Sequence, residues 1–299
     1  MTDFWLHLHD FRYAFIAGPL IAATCSLLSV YIVLRRMAMI SECVSHAGFG
    51  GISLALLAGY FFSQLDTPWG QQVITGVFCV SAALVIGYIS RGRKVSEDSA
   101  IGIVLVATVA LGMLLLAVRY RLPANGHPVP PNLEDLLFGN IAYVSRGDVV
   151  VIGVVAALVF GLIGMLYSEF LYVTLDEDMA RINGVPVRFI HTLLLIMISV
   201  VIVVSVHMVG FLMITALTII PGATASLISR RFGGVLLGSL LVGTLGMTGS
   251  LVLSTNPPFS KYPSGAIIVL CLFLIFGVVW VVRHAFKPRP VAEAGQEKA

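Results

Sequence analysis

Long apolar runs without Lys, Arg, Asp or Glu make up most of the chain, and short polar segments separate them. The runs cover residues 13–34, 46–65, 71–90, 99–118, 149–168, 189–229, 232–260 and 262–282. Because a membrane-spanning helix needs about 20 mostly apolar residues, each run can form a span. The 41 residues of the run 189–229 are enough for two helices, which a turn near His207–Gly210 would separate. The pattern predicts nine spans, or eight if one weaker segment lies in the membrane interface.

The distribution of positive charge supports the nine-span arrangement. With the N-terminus outside, nine spans leave five cytoplasmic segments, at residues 35–45, 91–98, 169–188, 229–233 and 283–299. These segments hold 13 of the 18 Lys and Arg residues, and cytoplasmic loops of membrane proteins carry an excess of these residues. The division of the long run also places Arg188 on the same side as Arg230 and Arg231, as the rule requires.

The composition agrees with an integral membrane protein. Hydrophobic residues make up 58% of the 299 residues, charged residues only 11%, and the mean hydropathy is +0.99, whereas soluble domains are about a quarter charged. We predict an all-α polytopic helical bundle of eight or nine spans in the cell membrane. The bundle would occupy residues 13–283, between a segment at 1–12 and a polar tail at 284–299. The net charge of +3 comes from scattered basic residues, so nothing favours binding of nucleic acid.

The sequence lacks the motifs of an ATPase or a membrane-bound zinc protease. It contains no G-x-x-x-x-G-K-[ST] phosphate-binding loop and no H-E-x-x-H, and the loops are too short for a nucleotide-binding domain. We therefore predict no catalytic residues and no permanently bound cofactor, and the energy for any transport would come from a separate subunit. The four cysteines form no C-x-x-C pair, and we interpret them as free thiols that pack as small apolar groups.

An acid and a histidine stand four residues apart at the start of the second span, in SECVSHAGFGG (41–51). Residues with this spacing share one face of a helix, so Glu42 and His46 point in the same direction. Ionisable residues in a membrane span are functional candidates, and carboxylate oxygen with imidazole nitrogen suits zinc, manganese or ferrous iron. The alternative is that Glu42 stabilises the helix start through the dipole and that His46 only packs. Cys43 is a weaker candidate ligand.

A short polar segment between the fifth and sixth spans has the features of a docking element. The sequence LDEDMARINGVPVR (175–188) places Met179 and Ile182 among charges and is interrupted by Gly184 and Pro186. A short amphipathic helix with a glycine turn can contact a soluble partner, and an ordinary connecting loop is the alternative. In the loop 119–148, four prolines preclude a regular helix at the start, and LEDLLFGNIAYV further on is predicted to form a short amphipathic helix.

Several stretches resemble the permeases of ATP-binding-cassette importers that take up zinc, manganese or ferrous iron from an external binding protein. They are RRMAMISECVSHAGFGGISLALL (35–57) and VGFLMITALTIIPGATASLIS (209–229), supported by LEDLLFGNIAYVSRGDV (133–149) and PSGAIIVL (263–270). The resemblance runs from about residue 13 to 283. It implies a homodimer of permeases, an ATP-binding subunit docked on each copy, and an extracytoplasmic metal-binding protein. A heterodimer of permeases is the alternative.

The resemblance also implies residues for the metal path. In this family an aspartate usually stands where Glu42 does, and with the histidine that matches His46 it coordinates the passing ion. The longer Glu42 side chain could alter the metal preference. Weaker candidates for metal contact are His207, near the outer end of the sixth span, and His127, in the outer proline-rich loop.

Two further groups of residues are expected to contact the ATP-binding subunit and to kink a helix, respectively. The segment that contacts the ATP-binding subunit in the family resembles the stretch with Asp176, Glu177, Ala180, Arg181 and Gly184, in which Ala180 and Gly184 match the characteristic spacing. Pro221 and Gly222, in IIPGATA, are expected to kink a helix along the path, because a proline frees backbone groups that neighbours must satisfy.

We therefore expect the permease subunit of an ATP-driven importer, with zinc as the first expected substrate and manganese or ferrous iron next. The metal would be a transported substrate and not a bound cofactor. The alternative is a stand-alone, ion-coupled carrier, which would need acidic or histidine residues along several spans. Glu42 is the only acidic candidate within the spans.

Overall fold

The structure is a computed structural model and describes residues 12–91, 96–123, 132–139, 144–256, 259 and 262–285. These ranges form twelve α-helices and one short 3-10 helix, Ser63–Leu65. In chain order the α-helices are α1 (Arg12–Leu34), α2 (Ala38–Phe61), α3 (Pro68–Arg91), α4 (Glu97–Arg121), α5 (Leu133–Phe138), α6 (Arg146–Met165), α7 (Tyr167–Leu175), α8 (Glu177–Ile182), α9 (Val187–Val209), α10 (Phe211–Ile228), α11 (Phe232–Thr255) and α12 (Ser264–Ala285). The predicted N-terminal segment, apart from Arg12, and the tail after Ala285 lie outside the described residues.

Nine of these helices are long and apolar enough to cross a membrane, so the predicted all-α bundle with nine spans is confirmed for the described part of the chain. The long apolar run divides at one residue, because α9 ends at Val209 and α10 begins at Phe211. Gly210 between them has a φ of 72°, a left-handed conformation that residues with a Cβ rarely adopt. The predicted turn therefore consists of a single glycine.

Four spans form the centre of the bundle. α1, α2, α9 and α10 have 56% to 72% of their most apolar segments buried, whereas the other five spans have 39% or less buried. α2 packs against α3 and α4, and α10 packs against α1, α11 and α12. Contacts of α9 and α10 with α2 join these two groups. The peripheral helices expose mainly apolar side chains, as expected for surfaces that meet lipid or another subunit.

Small residues let α2 lie deep between its neighbours. A Cβ added to Gly50 would lie 2.9 Å from the Thr108 carbonyl oxygen of α4, and one added to Gly51 would lie 2.9 Å from the Thr75 Cα of α3. Both distances are shorter than any ordinary contact of a Cβ atom, so only glycine permits this separation of the backbones. The cluster AGFGG thus brings three helices together, as small residues commonly do in membranes.

Hydroxyl groups form hydrogen bonds between the central helices. Ser29 Oγ of α1 accepts a hydrogen bond from the Gly222 N–H of α10 at 2.9 Å, next to Pro221, which has no N–H of its own. Ser41 Oγ of α2 donates to Thr218 Oγ1 of α10 at 3.3 Å. α10 is continuous through its proline, and these bonds hold it against α1 and α2.

A short helix packs against the break between α9 and α10. α5 covers Leu133–Phe138, as predicted for the start of LEDLLFGNIAYV, while residues 140–143 of this stretch lie outside the described part. The Gly139 backbone lies directly against that of Gly210, so that a Cβ on either glycine would overlap the main chain of the other. The outer loop is thereby anchored where α9 turns into α10.

Gly222→Ala is expected to destabilise the bundle, because the added methyl group would lie 2.6 Å from both the carbonyl oxygen and Oγ of Ser29. Overpacking of this kind costs about 1–3 kcal/mol. Gly277→Ala in α12 is the matched control, since no atom of the described residues lies within 4 Å of its added Cβ and alanine is the better helix former. Thermal unfolding of the purified proteins in detergent measures the difference. Equal midpoints would show that α1 and α10 are not held at this distance.

Candidate functional site

Glu42 and His46 lie on one face of α2, one turn apart, as the sequence predicts. Both side chains are half-buried, and they are close enough to interact electrostatically. Neither has a hydrogen bond or an ion pair to another residue in the part of the chain that the structure describes. Their oxygen and nitrogen lone pairs are therefore available to a ligand.

The acid–imidazole pair, Glu42 and His46, lies in the first half of α2, one to two turns from its start. His46 is eight residues from the start of α2, about 12 Å along the helix axis. A Cβ on Gly48, two residues further, would lie 3.9 Å from Cys79 Sγ, and Cys79 is central in α3. His46 thus approaches the level of the middle of α3, while Glu42 lies one turn closer to the start of α2.

Aromatic rings close the outer side of the pair. The His46 ring packs against Phe211, the first residue of α10, with 5.0 Å between the ring centroids. Phe49 lies one turn beyond His46, is almost fully buried, and also contacts Phe211, at 5.8 Å. Met39, on the same side of α2 toward its start, is exposed. In the predicted orientation, aromatic rings therefore cover His46 on the outer side, whereas Met39 on the cytoplasmic side is exposed.

The structure adds no third ligand to the pair from the described residues. No three His, Cys, Asp or Glu side chains in the described ranges are grouped so that they could hold a metal ion. The Cys43 thiol is fully buried and does not complete such a group with Glu42 and His46.

The weaker histidine candidates lie elsewhere in the chain. His207 is exposed in the last turn of α9, where the Asp148 carboxylate at the start of α6 is close enough to act on it electrostatically. Contact of His207 with an arriving metal ion stays a prediction. His127 lies outside the described residues.

Two protein ligands suit transient binding better than permanent binding. Structural zinc sites have four protein ligands, and manganese is usually bound by a larger set of oxygen donors. One carboxylate and one imidazole leave positions for water or for groups of another molecule, so that an ion can exchange. The donor set is compatible with a passage for divalent metal ions.

The segment predicted to contact a partner forms a capped helix and a glycine turn. Asp176 caps α8, because its Oδ1 accepts a hydrogen bond from the Met179 N–H at 3.0 Å. At the other end, the Val185 N–H donates to the Ala180 carbonyl oxygen at 3.0 Å, and the Gly184 N–H donates to the carbonyl oxygen three residues before it. This is the Schellman motif, which needs a left-handed residue after the helix. Gly184 provides it with a φ of 77°.

α8 and its flanks present apolar side chains to the surface among charged ones. Leu175, Met179 and Ile182 are 65%, 55% and 79% exposed. Ala180, in contrast, is fully buried and packs in the main core. The helix is therefore held on the bundle by one side while the other side is available for a partner.

An ion pair connects α8 to the turn between α1 and α2. The Glu177 carboxylate lies 3.7 Å from the Arg35 guanidinium and also pairs with Arg181 on α8. Burial lowers the pKa of Arg35, and the negative charge of Glu177 opposes this shift. The ion pair thereby links the docking segment, which is the stretch 175–188 predicted to contact a partner, to the α1–α2 hairpin that carries the acid–imidazole pair.

Pro221 and Gly222 are buried inside α10, and Gly222 is hydrogen-bonded to Ser29 of α1. Their environment in the structure is therefore a contact between two central helices. A kink along the metal path stays a prediction.

Sequence reasoning did not single out two residues that the structure brings to these sites. Phe211 follows the predicted turn directly and lies in the stretch 209–229 that carries the family resemblance, but no role was assigned to it. Arg35 contributed to the charge count that oriented the spans and to the stretch 35–57, but its ion pair with Glu177 joins residues far apart in the sequence, and no local signal predicts it.

The fold defines a class of protein, a multi-pass α-helical membrane protein. The family comparison is more specific, since the model of the ABC 3 transport family matches residues 8–283. The chain belongs to the ABC 3 transport family.

Relatives match almost the whole chain. The manganese transport system membrane protein MntC of Halalkalibacterium halodurans is 34% identical over 283 residues, which cover 94% of this chain and 90% of the relative. The chelated iron transport system membrane protein YfeD of Yersinia pestis is 28% identical over 294 residues, which cover 97% and 93%. Among solved structures, PsaBC from Streptococcus pneumoniae in complex with Fab is similar with a TM-score of 0.78 and 26% identity, over 93% of this chain and 95% of that chain.

Thiol labelling would test the packing around the pair. Cys25, Cys43 and Cys79 are fully buried, and Cys271 in α12 is half-buried. We expect the native protein in detergent to take up at most one maleimide per chain, at Cys271, and the denatured protein to label all four cysteines. Intact-mass spectrometry measures the number of maleimide groups per chain. Cys271→Ala should abolish labelling of the native protein. Rapid labelling of Cys43 would contradict its enclosed position and would return its thiol to the candidate ligands.

Proposed function

We propose that this chain is the membrane permease of an ATP-driven importer for divalent metal ions and that Glu42 and His46 bind the ion during its passage. The observation that carries the proposal is the pair itself, half-buried on one face of α2 and without a hydrogen bond or ion pair among the described residues. Ionisable side chains inside a membrane protein are costly and are usually retained for function.

The identity of the metal is proposed from the names of the relatives. The H. halodurans relative is named for manganese transport and the Y. pestis relative for chelated iron transport. We propose manganese as the first candidate, ahead of the zinc expected from the sequence alone, with ferrous iron and zinc as the other two. All three ions accept oxygen and nitrogen donors, so the pair by itself does not select among them.

The partners are proposed from the family and from the surface of the bundle. An ATP-binding subunit would dock on α8, where Leu175, Met179 and Ile182 are exposed beside charges. A second permease copy would complete the pathway, since the described part of one chain brings together only two of the ligands that a divalent ion needs. An external binding protein would deliver the metal at the outer end of the bundle.

A chain of helices leads from the docking segment to the metal pair. α8 joins α9 through the turn at Gly184, α9 continues into α10 through Gly210 alone, and Phe211 rests on the His46 ring. A displacement of the docked subunit would therefore reach Phe211 without an intervening loop. We propose that this movement, driven by ATP, opens and closes the aromatic contact on the outer side of the pair.

Glu42→Gln and His46→Ala are each expected to lower metal uptake about tenfold or more, because each removes one of the two ligands. Uptake is measured in cells that lack their own metal importers and that express this permease with its partner subunits. Manganese, iron and zinc are read together by mass spectrometry. Glu42→Asp should retain uptake and change the ratio of the three metals, because the shorter side chain moves the carboxylate.

Two variants serve as matched controls for this experiment. Glu169→Gln on α7 and His284→Ala near the end of α12 remove the same chemical groups from other helices, and both should take up metal like the wild type. Normal uptake by both Glu42→Gln and His46→Ala would exclude the ligand role. If the wild type accumulated none of the metals although the permease was present in the membrane, the proposed function as a whole would be wrong.

The Gly184 turn gives a separate test of docking. Gly184→Val should reduce the amount of ATP-binding subunit that co-purifies with the permease, because a β-branched residue is strained at a φ of 77°. Gly184→Asn should retain it, because asparagine tolerates this conformation. No atom of the described residues lies within 4 Å of a Cβ on Gly184, so the two variants differ in backbone strain and not in available space. Equal recovery of the subunit with both variants would show that docking does not depend on this turn.

A further inference from the structure

A cavity of about 680 Å³ opens between α3 and α9, beside the turn that connects α1 and α2. In the predicted orientation it lies at the cytoplasmic end of the bundle. Its walls carry Arg35, Arg36 and Arg188, together with His191 and Glu177. Three arginines face one glutamate, so positive charge is in excess. The acid–imidazole pair is not among the lining residues, and the proposed metal path does not use this cavity.

Arg35 in the wall of this cavity has hydrogen-bonding capacity that the protein leaves unused. Its side chain is only 9% exposed, and its Nη1 has no hydrogen-bond partner within the described residues. Its ion pair with Glu177 is long, at 3.7 Å. A guanidinium has five N–H donors, and a buried donor without a partner is destabilising. A phosphate group would accept these hydrogen bonds with suitable geometry.

An apolar groove continues from the cavity along the same two helices. It lies between α3 and α9, has a volume of about 540 Å³ and shares Leu84 with the cavity. From Leu84 the groove extends along α3 to Trp69, with Val200 and Val203 of α9 on the opposite wall. The two ends on α3 are fifteen residues apart, about 22 Å of helix. This length accommodates an acyl chain of one leaflet, which fills about half of the roughly 30 Å hydrocarbon core.

Two aromatic residues indicate that this side of α3 faces lipid. Trp69 and Tyr88 are 66% and 79% exposed near opposite ends of the helix. They are 19 residues apart, about 28 Å of helix, which is close to the thickness of the hydrocarbon core. Tryptophan and tyrosine concentrate at the two interfaces of a membrane. The large exposed residues between them, such as Val73, Val77 and Leu84, are apolar.

We propose that the cavity and the groove together bind one anionic phospholipid of the cytoplasmic leaflet. Its phosphate would lie on Arg35, Arg36 and Arg188, and one acyl chain would lie between α3 and α9. Basic pockets between spans on the cytoplasmic side are known to suit anionic headgroups. The phosphate would share the Arg35 guanidinium with Glu177 of α8. The bound lipid would therefore contact the ion pair that links α8 to the turn between α1 and α2. The site does not depend on which metal is transported.

The test measures lipid binding by the full chain purified in mild detergent. Native mass spectrometry compares phosphatidylglycerol with phosphatidylcholine of the same acyl chains, which has no net charge. We expect the wild type to prefer phosphatidylglycerol and R36Q/R188Q to bind it about tenfold more weakly, because each basic residue contributes to the attraction of an anionic headgroup. R230Q/R231Q is the matched control, since it removes two exposed arginines on the same predicted side that do not line the cavity. It should bind like the wild type.

A second pair of variants distinguishes a lipid from a soluble anion. Gly76→Leu fills the groove beside Val203, whereas Gly153→Leu in α6 points into open space in the described structure. We expect only Gly76→Leu to weaken phosphatidylglycerol binding, with thermal midpoints that show both variants to be folded.

Four results would overturn the proposal. Equal affinities for the two lipids, or equal weakening by R230Q/R231Q, would show that the cavity does not select a headgroup. Displacement of the lipid by inorganic phosphate, with no effect of Gly76→Leu, would assign the cavity to a soluble anion. If the transporter assembled with its partner subunits excluded the lipid, the cavity would be assigned to a contact with one of those subunits. If Gly76→Leu does not fold, the proposal is tested by phosphatidylglycerol binding to R36Q/R188Q and to its control R230Q/R231Q alone.

Discussion

The hydrocarbon of a bilayer offers no hydrogen bonds, so a polar group that enters it has to find its partner within the protein. Many hydroxyl groups of the described residues do so, in two ways, although the buried hydroxyls of Ser26 and Tyr31 have no partner there. Ser45 and Ser53 of α2 donate to carbonyl oxygens one turn earlier on the same helix, and Ser29 bonds across to α10. Glu42 and His46 have no such partner among the described residues. This lack of partners distinguishes them from the other polar groups of α2 and marks the site.

The position of α2 determines what the pair can do. The helix lies between α3, α4, α9 and α10, and its glycines bring two of these backbones too close for any side chain. Glu42 and His46 are therefore carried by a helix that is closely packed between its neighbours. The ring that covers His46 belongs to a different helix, which begins at a bend. The two side chains on α2 and the ring that covers His46 thus belong to different helices. In this arrangement, a movement of the ring can change access to Glu42 and His46 while their relative geometry stays the same.

The number of spans and the local turns were predictable, because they depend on short-range properties. A run of about 20 apolar residues is long enough to cross a membrane, and aspartate and glycine at the ends of α8 are local signals for its caps. The apolar run 46–65 does not itself show where α2 begins, although Glu42 was expected near the start of this helix. A search for charge-free runs stops at Glu42, whereas the helix begins at Ala38.

The position of the acid–imidazole pair and the ring that covers His46 could not be predicted in this way. His46 and Phe211 are far apart in sequence and meet because of how α2 and α10 are offset along their axes. The cavity around Arg35 likewise depends on four helices that approach one another. Such offsets result from the packing of many small residues, and no single stretch of sequence encodes them.

The junction at Gly210 also bears on how the chain is made. With one residue between α9 and α10, there is no loop that could stay outside while the second helix waits to enter the membrane. We expect the two helices to leave the translocon together, as a hairpin of about 40 residues whose ends stay in the cytoplasm. Replacement of this glycine would then reduce the yield of correctly inserted chain during synthesis, before any effect on a finished transporter could be observed.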